Sequence, residues 1–382
     1  MITISSQFDS GAIEVLHAED ANDIQLRIRK DNAADDIAQW FHFRLQGAAG
    51  VPVTLRFVNA GQCAYAKGWE NYRVVASHDR QHWQRIDTDY DGTVMTARLT
   101  PDRNSVFLAY FEPYSWERHL DLVASACASE HVVLERLGAS LDGREMDLLR
   151  ITDASSVVPD ADKRIVWLIA RQHPGETMAE WFTEGFLERL LDGDDPVARV
   201  LLQRCIFFVV PNMNPDGSVR GNLRTNAAGA NLNREWLEPS MERSPEVALV
   251  RAKMQSTGVD LFLDAHGDEA LPYNFVAGSE GIAGFSPRLQ QLQDTFKASW
   301  IASCPDFQDR VNYGAARPTQ ANPTVATNWV AQRFDCLSFT IEMPFKDNDD
   351  LPDVLTGWSG ERSRKLGAGV LLPMLAVVGK LR

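Results

Sequence analysis

Up to about Ser115 the chain alternates apolar and polar residues in short runs separated by Gly, Asn and Asp, the two-residue period of half-buried strands. Ile24-Leu26-Ile28, Trp40 to Leu45 with Phe41, Phe43 and Leu45 on one face, Val53 to Val58, Tyr72 to Ala76 and Val106 to Phe111 are the clearest runs. About seven such strands predict an all-β sandwich. After a linker around Tyr114 to Ser129 the pattern changes. A hairpin is predicted first, Val132 to Leu137 and Met146 to Ile151 around an Asp142-Gly143 turn. Unbroken apolar strands then follow at Ile165–Ala170, Cys205–Val210, Leu261–Ala265 and Leu337–Ile341, with helical stretches at Thr177–Leu191, Pro245–Gln255, Ser286–Ser303 and Glu361–Leu381. Strands apolar on both faces need cover on both faces, so this half is read as α/β: a mixed sheet with helices on each side. The expected division is a β-sandwich domain of residues 1–122 followed by a catalytic domain of residues 123–382.

Composition adds bounds. A chain of 382 residues has room for two cores. Its 45% hydrophobic and 24% charged content is that of an ordinary folded protein. A net charge of −14 repels phosphate backbones and anionic lipid, so neither nucleic acid nor membrane is expected as a partner. The cysteines (Cys63, Cys127, Cys205, Cys304, Cys336) are odd in number, scattered and never in a CxxC pair. With no apolar leader-like segment at the start, this reads as a cytoplasmic protein.

The chemistry-bearing residues sit at strand exits, where α/β sheets place ligands. Arg171-Gln172-His173-Pro174-Gly175-Glu176 follows one apolar strand and opens a helix, and the spacing of His173 and Glu176 lets an imidazole and a carboxylate converge on one cation. His266 ends a later strand and supplies a third donor. Three nitrogen or oxygen ligands with a position left open for water describe a catalytic zinc, one per chain. Asp264 and Asp268 flank His266 and either could orient its ring. Glu342 ends a fourth strand, where a semi-buried carboxylate beside the metal could take a proton from water and return it to a leaving amine. Between these lies a long loop rich in Asn, Gly and Arg that carries Arg224, Asn233 and Arg234. Guanidinium groups there would suit a substrate carboxylate or a developing oxyanion.

In chain order, HPGE, NPDG, GNLR, LNREW, DAH and SFTIEMP resemble the zinc metallocarboxypeptidases of the carboxypeptidase A superfamily. The SLDGREMDLL hairpin, WFHFRL and AYFEPYS resemble its cytosolic, deglutamylase-like subfamily over nearly the whole chain. The resemblance implies zinc held by His173, Glu176 and His266, Glu342 as general base and acid, and Arg224 polarising the scissile carbonyl. It also implies that Asn233 and Arg234 hold the substrate's terminal carboxylate. Peptide or protein tails ending in glutamate are the implied substrates, and Arg317, with Arg310 and Arg333 behind it, is the expected partner of that side chain. The wider superfamily places a tyrosine ahead of the base. Here Thr319 to Trp329 contains none, and Tyr313 is the nearest. Two other readings compete: an aspartoacylase-type amidohydrolase of small N-acyl amino acids, and a binding protein that has lost catalysis.

Overall fold

In the computed structural model, residues 1–33, 36–314 and 321–382 are described. The early alternation becomes strands β1 (Thr3–Ser5), β2 (Glu14–His17), β3 (Ile24–Arg27), β4 (His42–Gln46), β5 (Val53–Phe57), β6 (Val75–Ser77), β7 (Gln84–Arg85), β8 (Asp87–Tyr90), β9 (Met95–Leu99) and β10 (Ser105–Ala109). They form two five-stranded sheets, in the orders β1-β4-β10-β6-β7 and β2-β3-β5-β9-β8. Inward residues of the two sheets share one core: Phe43 on β4 and Phe57 on β5 approach with ring centroids 6.3 Å apart. This is the sandwich the alternation predicts.

Helix α1 (Trp116–Cys127), capped by the Ser115 hydroxyl, leads to the antiparallel hairpin β11 (Val132–Ala139) and β12 (Glu145–Ile151), with Gly143 at φ 86° in its turn. Next come β13 (Arg164–Ala170), α2 (Met178–Leu190), α3 (Pro196–Arg204), β14 (Cys205–Val210), α4 (Pro215–Arg220) and α5 (Pro245–Thr257). The chain closes with β15 (Leu261–Asp268), β16 (Phe275–Ala277), α6 (Pro287–Ser303), α7 (Ala326–Phe334), β17 (Leu337–Pro344), α8 (Gly360–Gly369) and α9 (Leu371–Val378).

The seven-stranded sheet runs β11-β12-β14-β13-β15-β17-β16, parallel among β13, β14, β15 and β17 and antiparallel at both margins. Alternate residues of β13 serve opposite cores. Val166, Leu168 and Ala170 pack with Phe182, Phe186, Leu289 and Met374 of the helices on one face. Trp167 and Ile169 pack with Val247, Val250 and Val330 on the other. The mixed sheet covered on both faces follows from that division. After β13 the chain adds β14 on one side and β15 on the other, so the carboxyl end of β13 is a topological switch point where a crevice opens.

The structure departs from the sequence reading at several elements, and the stretch read as a linker around Tyr114 to Ser129 holds helix α1. The strands expected to stop at Ala265 and Ile341 continue to Asp268 and Pro344, because β15 and β17 stay paired through His266↔Glu342, Gly267↔Met343 and Asp268↔Pro344. An apolar run marks where a strand is buried in hydrophobic surroundings, and its hydrogen bonds extend into the polar site. The single helix expected over Glu361–Leu381 is two, since glycines at 367 and 369 weaken it and Pro373 has no N–H to carry the helix through the junction.

The sandwich is keyed to the α/β domain by Arg85. Its buried guanidinium donates to the carbonyls of Phe345, Lys346, Thr356 and Trp358 across the interface, and to that of Arg73 in its own domain. Tyr110 stacks on Phe345 alongside it, with ring centroids 4.3 Å apart.

Candidate active site

Arg171, just past β13, turns the chain with φ 61°, a left-handed conformation rare for a residue with a Cβ. Its buried side chain offsets that strain by donating to Pro174 O (2.9 Å), Tyr114 O (2.9 Å) and Glu180 Oε2 (2.7 Å), which closes the turn carrying His173 and Glu176. Gly175 follows because its N–H reaches Leu223 O at 2.8 Å and a Cβ would stand 2.9 Å from Leu223 Cα. His173, Glu176 and His266, all buried, thus bring their ligand atoms within 4.8 Å of one another.

The proton arrangement of this trio calls for a cation. Asn231 Oδ1 takes the Asn233 N–H (3.1 Å) and is therefore an acceptor, so His173 Nε2, 3.0 Å away, carries a proton. Asp264 Oδ2 lies 2.9 Å from His266 Nε2 and holds the proton there. Both Nδ1 atoms then present lone pairs, 3.1 Å apart, and Glu176 sets Oε1 2.7 Å from one and Oε2 2.8 Å from the other. Three acceptors aimed at one point fit a zinc ion. Burial, aided by Arg224, lowers the His173 pKa to about 4, so its ring is neutral as a ligand must be.

Glu342 is paired with His266 across β15 and β17, which puts its carboxyl beside the trio. Its Oε1 accepts from Tyr313 Oη at 2.8 Å, and its buried Oε2 has no hydrogen-bond partner among the described residues. Burial pushes this carboxyl well above the ordinary glutamate range; His266 opposes that shift while Glu176 and Asp268 add to it. Tyr313 comes from outside the stretch where the resemblance places a tyrosine, and its hydroxyl is also 3.1 Å from Asp268 Oδ2. Of the two aspartates flanking His266, Asp264 orients the ring; Asp268 binds the N–H groups of Ala270 and Leu271 instead.

These groups open into a cavity of about 480 Å³ that Arg224, Asn233, Arg234, Glu269 and Glu280 also line. Arg224 Nη1 is 3.9 Å from Glu176 Oε1. Burial works against its charge and is outweighed by Tyr65, Glu269, Glu176 and Glu342. Asn233 is fixed by accepting the Ala326 N–H at 2.9 Å, and the Arg234 guanidinium folds back on Asn233 O at 2.7 Å.

Not all expected residues gather here. Arg310 is largely exposed and paired with Asp350 at 2.6 Å, and the exposed Arg333 lies by the Phe334 ring, so neither lines the cavity. Arg317 lies outside the described residues. Conversely, the sequence reading missed Tyr65, Gln172 and Asn231. Gln172 donates to Asp264 Oδ2 (2.6 Å) and accepts from Trp236 Nε1 (2.8 Å), so it fixes the carboxylate behind His266. Adjacency to His173 was its only signal. Tyr65 sits in a stretch of the sandwich with no periodicity to draw notice.

Comparison with known proteins places the chain among characterised folds and sequences. Residues 4–111 match the family model described as cytosolic carboxypeptidase N-terminal domain, and residues 117–355 match that described as zinc carboxypeptidase. Cytosolic carboxypeptidase 6 of Mus musculus is 28% identical over 304 residues, which are 73% of this chain and 55% of the mouse protein. The chain therefore spans about half the length of that relative. Solved structures of a metallo-carboxypeptidase from Burkholderia cenocepacia (47% identical, TM-score 0.96) and of one from Pseudomonas aeruginosa in complex with (2-guanidinoethylmercapto)succinic acid (49%, 0.94) each match over 100% of both chains.

Proposed function

The chain belongs to the zinc carboxypeptidase family and is a zinc metallocarboxypeptidase of peptide or protein substrates; from that premise we propose the following division of labour. His173, Glu176 and His266 hold the zinc, Glu342 moves the proton, Arg224 meets the carbonyl oxygen, and Asn233 with Arg234 anchors the terminal carboxylate. The observation that carries this reading is the convergence of three buried ligand atoms within 4.8 Å, with Glu342 in register beside His266. When bound, zinc supplies Lewis-acid polarisation and a lowered pKa for water. Glu342 takes the proton of the attacking water on a carboxylate oxygen, Tyr313 steadying Oε1, and delivers it to the nitrogen of the leaving residue. The Arg224 guanidinium faces the charge that grows on the carbonyl oxygen. The match of residues 4–111 to a carboxypeptidase accessory domain favours this over an N-acyl amino acid amidohydrolase, and the intact metal and base residues favour it over a binding protein. No helix among the described residues is long and apolar enough to cross a membrane. We place the enzyme in the cytoplasm, with residues 1–122 and 123–382 as its two domains.

For the terminal side chain, the narrower reading is glutamate released from acidic tails, and it rests on Arg317, because Arg310 and Arg333 do not line the cavity. A second reading has a specific observation behind it. Glu280, held by Gln293, lines the cavity, and a relative 49% identical binds a compound bearing a guanidino group, so a basic terminal side chain is the competing substrate. Peptides differing only in a final Glu, Gln, Leu or Lys separate the two by their kcat/KM. A charge-assisted contact of roughly 1.5–3 kcal/mol gives the preferred charged residue an advantage of one to two powers of ten. A winning Lys peptide would overturn the glutamate reading. In the same assay, amidated peptides are expected to be poor substrates, since the anchoring guanidinium loses its carboxylate partner. Equal cleavage of free and amidated termini would remove Asn233 and Arg234 from the anchor.

A further inference from the structure

Arg224 is gripped from two directions, and both grips come from the sandwich. Asp31, buried at the edge of that domain, spreads its carboxylate over three successive backbone N–H groups of the catalytic loop. Leu223 N donates to Oδ1 at 2.7 Å, while Arg224 N and Thr225 N donate to Oδ2 at 2.7 and 3.0 Å. The Thr225 hydroxyl adds a fourth bond at 3.2 Å. At the other end of the arginine, its guanidinium carbon lies 5.4 Å from the centre of the Tyr65 ring. Tyr65 is itself held on both sides of its backbone by Gln39, whose amide oxygen takes the Tyr65 N–H at 3.2 Å and whose amide nitrogen donates to Tyr65 O at 3.3 Å. The loop from Gly221 to Ala230 has no sheet or long helix of its own; Asn226, Ala228, Gly229 and Ala230 satisfy their N–H groups within the loop, whereas those of Leu223, Arg224 and Thr225 depend on Asp31.

We propose that the N-terminal sandwich is a working part of the active site, and that Asp31 is a positioning residue which sets the 223–225 backbone and thereby aims Arg224 at the reacting carbonyl. The inference rests on the role assigned to Arg224 above. A guanidinium that must meet an oxygen only as charge develops there has to be held in place beforehand, because a side chain that reorients during the reaction forfeits the stabilisation. A buried carboxylate on three consecutive N–H groups fixes the loop more firmly than a neutral acceptor would. Tyr65 then limits the sweep of the side chain. Asp31 touches neither substrate nor metal; because Leu223 O also accepts the Gly175 N–H of the turn carrying His173 and Glu176, retained zinc is the readout that separates an effect aimed through Arg224 from one on that turn.

The test uses the full-length zinc enzyme and the double-mutant cycle of Asp31→Asn with Arg224→Ala. Asp31→Asn removes one acceptor oxygen and sets an NH₂ group against backbone donors. It is expected to lower kcat about 10- to 100-fold, the scale of a misplacement of an ångström or so, with KM changed less than about threefold and one zinc per chain retained. In the Arg224→Ala background the same substitution should cost almost nothing more, since there is no guanidinium left to aim. Thr225→Val, which removes the hydroxyl bond to Asp31 and the long one from Asn32 but leaves the three backbone bonds, gives a gentler fall of about two- to tenfold and keeps the test open if Asp31→Asn does not fold. An equal loss from Asp31→Asn in both backgrounds would make Asp31 a general fold residue and overturn the inference, as would wild-type kcat in Asp31→Asn. Full turnover in Arg224→Ala would instead overturn the role of the arginine itself.

Discussion

Glu342→Gln is expected to fold, to carry one zinc per chain and to turn over about 10²- to 10⁴-fold more slowly than the parent, the usual worth of a positioned acid–base group. The substitution is nearly isosteric. Tyr313 Oη can still donate to the amide oxygen, so the geometry around β17 is kept and only the capacity to accept a proton is lost. Metal content by elemental analysis and kcat on a free-acid peptide are the two measurements. If zinc stays bound and turnover stays near that of the parent, the proton is handled by another group. Glu269, the next buried carboxylate lining the cavity, would be the one to replace.

The second large effect is on the metal. His266→Ala or His173→Ala takes one of three donors from a buried site and should yield protein without stoichiometric zinc and without detectable peptidase activity. Without the ion, the pKa of water returns from about 7 to about 15.7, and that acidity is lost to the reaction. Asp264→Asn is a graded control. Its oxygen can still accept from His266 Nε2 but no longer as an anion, and zinc affinity is expected to fall about 10- to 100-fold. Either histidine variant retaining a full complement of zinc would remove that residue from the ligand set. Dialysis of the parent against a chelator, followed by recovery of activity on adding zinc, links the two readouts.

What could be read along the chain and what could not follow from how far each signal reaches. Burial on both faces writes itself into sequence as unbroken apolar runs, so β13, β14, β15 and β17 and the site at their carboxyl ends were legible. His173 and Glu176 lie three apart on one turn, and His266 and Glu342 each follow an apolar run, so the candidate ligands and the candidate base could be picked out one strand at a time. The residues that support them were not legible. Asp31 sits in a polar, charged stretch indistinguishable from any solvated loop, and its meaning depends on a backbone segment almost two hundred positions later. Asn231 looked like one of many loop asparagines until its oxygen met the His173 ring. The expectation that Arg310 or Arg333 would reach the substrate failed for the same reason. Charge and proximity in sequence say nothing of direction, and Arg310 finds Asp350 on the surface first.

Multidomain chains commonly unfold in separate steps, each domain melting at its own temperature. The placement of Arg85 argues for the opposite here. Its cation is buried with carbonyl groups as its hydrogen-bond acceptors, most of them belonging to the other domain, and Tyr110 stacks on Phe345 beside it, so parting the two bodies gives up these charge-assisted bonds and the apolar contact together. Neither half can loosen without the other sharing the loss. A calorimetric scan should therefore record one cooperative heat-absorption peak for the whole chain, and Arg85→Met should split or broaden it by letting the sandwich melt on its own.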